Sequence, residues 1–357
     1  MSLEKEIIEL LKSLGAISVG FANLETLAGG PPSADIRYVM PSAKSAISFA
    51  LPENKEFLQR FLAKEDILSH EKDHLTTTIY SGQISEKVKD FLESKGYKSS
   101  GVLGSGVYRR ELPDWNVNMY PNLSQRYVAV RSGVGSFGWS GNVGMKGYGS
   151  AILLGSVLTE AELTPTEPIS ESESFCCKCK LCAASCVGKT FSAEEEEYVT
   201  LGGRTFSFAK RKSYVTCHIV AGGMTGLHES GQWSTWSPGR FRVPEDEKEL
   251  MEEYERTSRL YEKRVHVNDG GFPGDQFVGG RLRITCGVCA LVCTGSREEN
   301  EENYRILTSS GCVVQDESGK KLVLPADEAA ARFESFKPEH KDLYRYLQRS
   351  VSIRPTV

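Results

Sequence analysis

The sequence predicts a mixed α/β chain (α/β, α+β in detail) in two parts: an N-terminal α/β domain, then a smaller domain organised around cysteines. Two observations lead there. Up to about residue 165, amphipathic stretches alternate with short apolar runs, the pattern of helices packed on a sheet. All ten cysteines fall beyond residue 175, five of them between positions 176 and 186. The 357 residues, 39% hydrophobic and 25% charged, suffice for two domains with real cores, so disulfide staples are not needed for folding.

The elements follow in order. Leu3, Ile7, Leu10, Leu11 and Leu14 share one helical stripe, with Gly15 as a stop. AISVGFA (16–22) and AISFALP (46–52) read as short buried strands. SEKVKDFLESK (85–95) reads as an amphipathic helix, RYVAVRS (126–132) fits helix or strand, and AILLGSVL (151–158) is the clearest buried run. TPTEPISESES (164–174) reads as a linker. Between Cys217 and Cys286 lies a long insert with a Gly- and Trp-rich loop (221–239). A charged helix at roughly 245–264 follows, with Leu250, Met251, Tyr254 and Tyr261 as its packing stripe. From about 300 the chain folds back as an extension. The expected domains are 1–165, 166–300 with the insert at about 220–280, and 301–357.

The N-terminus is charged, with no apolar leader and no twin-arginine pair, and the longest apolar runs are too short to span a bilayer. The expected location is the cytoplasm, where thiols serve metal or redox chemistry more often than disulfides. A net charge of −4 without a basic stretch disfavours nucleic acid as the main partner.

Cys176, Cys179, Cys182 and Cys186 have the spacing C-x2-C-x2-C-x3-C. Two-residue spacers let a tight loop offer three thiolates to one cubane, and the fourth thiol points to a second cluster, as in bacterial ferredoxins. Zinc sites use separated pairs and thioredoxin-type redox sites use two thiols only. The second run, Cys286, Cys289 and Cys293, lacks one thiol, and Cys217 supplies it. Cys176, Cys179, Cys182 and Cys293 then hold one [4Fe–4S] cluster, and Cys186, Cys217, Cys286 and Cys289 the other. Cys177 and Cys312 are left as bystanders. Val187 and Thr294 stand where ferredoxin runs carry proline.

Residues 133–149, GVGSFGWSGNVGMKGYG, contain G-x-G-x-x-G, but glycines continue too densely for a following helix, so a dinucleotide site is not indicated. The alternatives are a flexible loop or backbone laid against a large flat ligand. RSGVGSFGWSGN, followed by YGSAILLGSVLTEAEL and the cysteine run, resembles epoxyqueuosine reductase and the wider group that includes the reductive dehalogenases. That resemblance implies a nitroreductase-like domain binding a base-off corrinoid (cobalamin), followed by a bacterial-ferredoxin-like two-cluster domain. Gly138, Gly141, Asn142, Gly149 and Ser150 fall where the family's backbone approaches the corrin. The family's catalytic aspartate has no counterpart near Asn118, ahead of Pro121; Tyr120 and then Asp114 are the candidate proton donors. Ser136 and Phe137 are additional, and the insert is longer than the family's.

The expected function is a corrinoid-dependent oxidoreductase for reductive C–O or C–halogen cleavage. Electrons come from a ferredoxin or flavodoxin through both clusters. The alternative is a non-enzymatic iron–sulfur electron carrier or reactivator for a partner, possibly itself a corrinoid protein. A flavin or nicotinamide in the N-terminal domain is the third reading.

Overall fold

A computed structural model describes residues 2–102, 104, 107–113, 115–212, 214–265 and 283–345. Its strands are β1 (Ser18–Asn23), β2 (Ser45–Pro52), β3 (Ser99–Val102), β4 (Ser136–Phe137), β5 (Val143–Gly144), β6 (Ile152–Thr159), β7 (Phe191–Leu201), β8 (Arg204–Arg211), β9 (Cys312–Gln315) and β10 (Lys321–Leu324). The chain divides into two compact units, Met1–Tyr214 with Val288–Leu307, and Val215–Gly287 with Thr308–Val357.

The first unit is built on a four-stranded antiparallel sheet in the order β1-β2-β6-β3. The alternation of β2 explains its layers. Ile47, Phe49 and Leu51 face a core with Ile7 and Leu11 of the helix Leu3–Ser13 and Ile84, Val88 and Leu92 of the helix Leu68–Ser94. The small Ala46 and Ala50 face the other way, toward Val128, Ala129 and Val130 of the helix Gln125–Arg131. Strand β2 is buried over seven of its eight residues, which is why its sequence shows a continuous apolar run.

Several expectations change. RYVAVRS resolves as helix, since Val128 and Val130 then enter two different cores, an outcome of packing that overrides β-branched preference. The helix expected at 85–95 begins at Leu68; its first half carries no apolar stripe and gives no periodic signal. The expected linker is docked: Thr166 donates its N–H to the Phe21 carbonyl at 2.9 Å, and its Oγ1 accepts the Phe21 N–H at 2.9 Å. It thereby covers the β1 edge. The β7–β8 hairpin was not foreseen, because β7 contains AEEEEYVT and keeps its glutamates largely exposed. Its two-residue turn, Gly202–Gly203, has φ +54° and +75°, as a type I′ hairpin turn requires.

In the second unit the helix Glu247–Tyr261 buries Leu250, Tyr254 and Tyr261 against Val215, Ile219, Met224 and Phe241, with Met251 at the margin. The insert and the tail build this unit together. Gly311 accepts from the Ser234 N–H at 3.1 Å, and Ser234 Oγ accepts the Val313 N–H at 2.9 Å. Trp233 and Trp236 are buried, so the Trp-rich stretch is core rather than surface loop. Among the described residues no helix is long and apolar enough to cross a membrane.

Candidate iron–sulfur site

The cysteine run forms a loop whose wrapping depends on two lysines in the left-handed region, Lys178 (φ +53°) and Lys180 (φ +61°). Each costs about 1–2 kcal/mol for a residue with a Cβ. Anchors offset that cost: Lys180 Nζ donates to the Ala193 carbonyl at 2.6 Å and stands 4.4 Å from the Trp139 ring centroid. Lys178 lies 3.7 Å from Glu196. Cys182 then enters the short helix Leu181–Ala184.

Residues 288–307 return to this unit and bring Cys289 and Cys293 with them. Buried Asn300 and Asn303 hold the segment: Asn300 Oδ1 accepts the Thr294 N–H at 3.0 Å, and Asn303 Nδ2 donates to Thr294 Oγ1 at 2.7 Å. Cys176, Cys179, Cys182 and Cys293 line one cavity, with Cys177, Phe175, Trp139 and Asn300. All ten cysteines are free thiols.

The donor set around the sulfurs suits a metal–sulfur group. The Trp139 N–H points at Cys176 Sγ (3.2 Å), the Thr190 N–H at Cys186 Sγ (3.3 Å), Asn142 Nδ2 at Cys289 Sγ (3.6 Å) and Asn300 Nδ2 at Cys293 Sγ (3.8 Å). Such donors stabilise thiolate sulfur and tune a cluster. Without a cation the crowding works the other way. Burial, then the neighbouring thiols, pushes Cys182 and Cys293 up to about 12. Burial and Cys186 push Cys289 up to about 11, against the pull of Asn142 and Arg211. A bound metal group inverts this balance and holds the thiols deprotonated. Among the described residues no three His, Cys, Asp or Glu side chains converge as ligands of one metal ion; these thiols surround a space instead.

The glycine-rich stretch forms a wall of this site. Strands β4 and β5 pair through it, with Gly141 at φ +71° in the turn. The space a Cβ would need at Gly138 is taken by Phe175 (2.9 Å), and at Gly141 by Arg211 Nη2 (2.9 Å) and Phe208 (3.2 Å). At Gly149 it is taken by the Cys293 carbonyl. Asn142 reaches Cys289, and Ser150 donates its N–H to the Cys293 carbonyl (2.7 Å) and its Oγ–H to the Ala290 carbonyl (2.9 Å). The resemblance led us to expect a corrin against these five residues. On the side where a Cβ would stand, the three glycines meet the chain's own cysteine segments and the β8 side chains.

Tyr120 is half-buried, its carbonyl accepting the Arg109 N–H at 2.8 Å, and it does not line the thiol cavity. Asp114 lies outside the described residues. Cys217, on the helix Tyr214–Ala221, and Cys286 belong to the second unit. There the His218 ring meets Tyr254 edge-on at 5.9 Å. Cys312 is fully buried in β9 beside Val314, Phe333 and Tyr344. The sequence reading missed Arg126, Arg211 and Tyr214, which gather behind Gly141; nothing in their spacing marks them.

No family model matches the chain. A curated epoxyqueuosine reductase from Atelocyanobacterium thalassa is 29% identical over 182 residues, 49% of this chain and 52% of that protein. The chain thus spans about half the length of the curated relative it matches. A solved epoxyqueuosine reductase, crystallised with an epoxyqueuosine-modified tRNA stem loop, has 21% identity over 53% of this chain and 52% of its own, with a TM-score of 0.35. A reductive dehalogenase, described with a mechanism for B12-dependent dehalogenation, has 16% identity over 60% of this chain and 28% of its own, with a TM-score of 0.44. The resemblance to this family is therefore matched by a curated relative of the same kind, itself an oxidoreductase.

Proposed function

We propose that the chain is an iron–sulfur oxidoreductase that delivers single electrons to a reductive cleavage. One observation carries the reading: thiols more than a hundred residues apart, Cys176, Cys179, Cys182 and Cys293, line one cavity. A [4Fe–4S] cluster there supplies one-electron chemistry. The chain's own contribution is to hold four thiolates, exclude water with Phe175 and Trp139, and aim N–H donors at sulfur. Spacing assigns Cys186, Cys217, Cys286 and Cys289 to a second cluster. A ferredoxin or flavodoxin is the proposed electron source. Cleavage of a C–O or C–halogen bond consumes a proton, for which Tyr120 is the proposed donor.

A corrinoid-dependent reductase is the second reading, favoured by the epoxyqueuosine reductase relative. We derive no step through that group. The electron-carrier or reactivator role needs no corrin.

Anaerobic purification with iron, sulfide and visible spectra tests the first reading. The expected outcome is roughly eight irons and eight sulfides per chain, as two four-iron clusters demand. Zinc without sulfide would overturn it. Gel filtration after incubation with cobalamin separates the rest: retention with a base-off spectrum supports the corrinoid reductase, and no retention supports the carrier.

A further inference from the structure

Ferredoxin-type cysteine runs end in proline, whose ring fixes the turn after the last thiol and which has no N–H to satisfy. Here buried Thr294 follows Cys293. The Cys293–Thr294 peptide therefore carries an N–H that burial obliges the fold to pair, on a residue with no ring to hold it. Hydrogen bonds do the holding. The Cys293 carbonyl accepts the Ser150 N–H at 2.7 Å, and the Thr294 N–H is accepted by Asn300 Oδ1 at 3.0 Å. A peptide unit is planar, so gripping it at both polar ends fixes its plane. The peptide before it is held too, since the Cys293 N–H reaches the Ala290 carbonyl at 3.1 Å. With both flanking peptides held, the direction of the Cys293 Cβ is set.

The Asn300 amide has a second end. The residue is 3% exposed, and with Oδ1 committed to the Thr294 N–H its Nδ2 faces Cys293 Sγ, 3.8 Å away. A flipped amide would set N–H against N–H, so the network fixes a donor against the sulfur. Asn303 differs. Its Nδ2 donates to Thr294 Oγ1 at 2.7 Å and its Oδ1 accepts Gln59 Nε2 at 3.2 Å, so both ends are spent away from sulfur. Asn300 lines the thiol cavity with Cys293. All these residues belong to the first unit.

Resting on the reading that a cluster binds Cys176, Cys179, Cys182 and Cys293, we propose that Asn300 is a positioning residue that takes the place of the ferredoxin proline. It holds the Cys293 turn and, through the N–H it keeps on Sγ, raises the reduction potential of that cluster. Reduction adds negative charge that the sulfurs share, and a hydrogen-bond donor stabilises it there. Thr294 Oγ1 and Asn303 serve the turn alone. A proline fixes a turn but offers sulfur nothing; here one side chain links ligand placement to potential.

Redox titration followed by electron paramagnetic resonance, at pH 8 on the anaerobically reconstituted full chain with iron counted, tests this. Asn300→Asp keeps an oxygen for the Thr294 N–H and sets a carboxylate oxygen where the donor faced sulfur. It should hold its iron and lower one transition alone, so that at fixed poise the reduced-to-oxidised ratio falls about tenfold, or ~59 mV for a one-electron couple. Thr294→Val, which removes only the Asn303 arm, should melt at a lower temperature with its transitions at the wild-type potentials. A folded Asn300→Asp that loses its iron, or keeps it with its transitions unmoved or all moved equally, overturns the proposal while sparing the cluster reading. So does a Thr294→Val that lowers the same transition as far. Absence of iron from wild type overturns both. If Asn300→Asp does not fold, Asn300→Ala decides: iron held with unmoved transitions overturns the proposal, and one lowered transition, or iron lost beside an iron-loaded Thr294→Val, supports it.

Discussion

At the scale of single residues, the cysteines divide by surroundings rather than by type. Cys176 is half-buried with a backbone N–H on its sulfur, whereas Cys177, at the same cavity, is exposed. Cys176→Ser should therefore lose about half the iron, and Cys177→Ser none, read by iron assay on purified protein. Cys312 is enclosed by unit-two side chains, so Cys312→Ala should cost about 1 kcal/mol in urea unfolding and leave iron unchanged. The glycines divide likewise. Gly149 combines φ +57° with a Cβ direction blocked by the Cys293 carbonyl, while Gly147, at φ +82°, faces open space. Gly147→Ala should cost about 1–2 kcal/mol from backbone strain alone. Gly149→Ala should cost clearly more and release iron, because the carbonyl that must move belongs to a candidate ligand.

At the scale of elements, the helix Leu68–Ser94 shows how a cap starts what periodicity does not announce. Its N-terminal Ile67 has no side-chain cap, and Asp66 takes that role, accepting from the Leu68 N–H (2.9 Å) and the Ser69 N–H (3.2 Å). The hydrogen bond from the Ser69 hydroxyl, then these N–H groups and Arg60, outweigh burial and hold the Asp66 carboxyl below its ordinary value. A depressed folded-state value means the stabilisation is complete above the unfolded value, near 4, and is lost as pH falls through the folded one. Asp66→Ala should cost about 1 kcal/mol at pH 7. The gap between variant and wild type should close in acid, as thermal melts at pH 7 and pH 3 would show. An undiminished gap at pH 3 would refute the assignment.

At the scale of the whole molecule, net charge bears on which partners the chain takes. The chain carries −4, with Lys and Arg 43 against Asp and Glu 47. Nucleic-acid affinity depends on releasing counter-ions with clustered cations. A generic RNA stem loop should therefore bind this chain weakly at physiological salt, in a fluorescence-anisotropy titration. Tight binding with a steep salt dependence would overturn that expectation.

The sequence alone determined what rests on local spacing. The thiol loop, the buried strands β2 and β6, and the Leu250–Tyr254–Tyr261 stripe were legible because two-, three- and four-residue periods dictate which side chains share a face. That Cys293 lines the same cavity as Cys176 belongs to the fold, although the ferredoxin-type spacing of the thiols suggests it. The tertiary structure decided what depends on residues far apart in the chain. It turned RYVAVRS into helix, docked Thr166 on β1, and joined the insert to the tail. It also brought Arg126 and Arg211 behind Asn142. The glycine-rich stretch marks the boundary between the two. Its composition announces close approach, but glycine is silent about what approaches, and only the fold supplies Phe175, Phe208 and the Cys293 carbonyl as the neighbours.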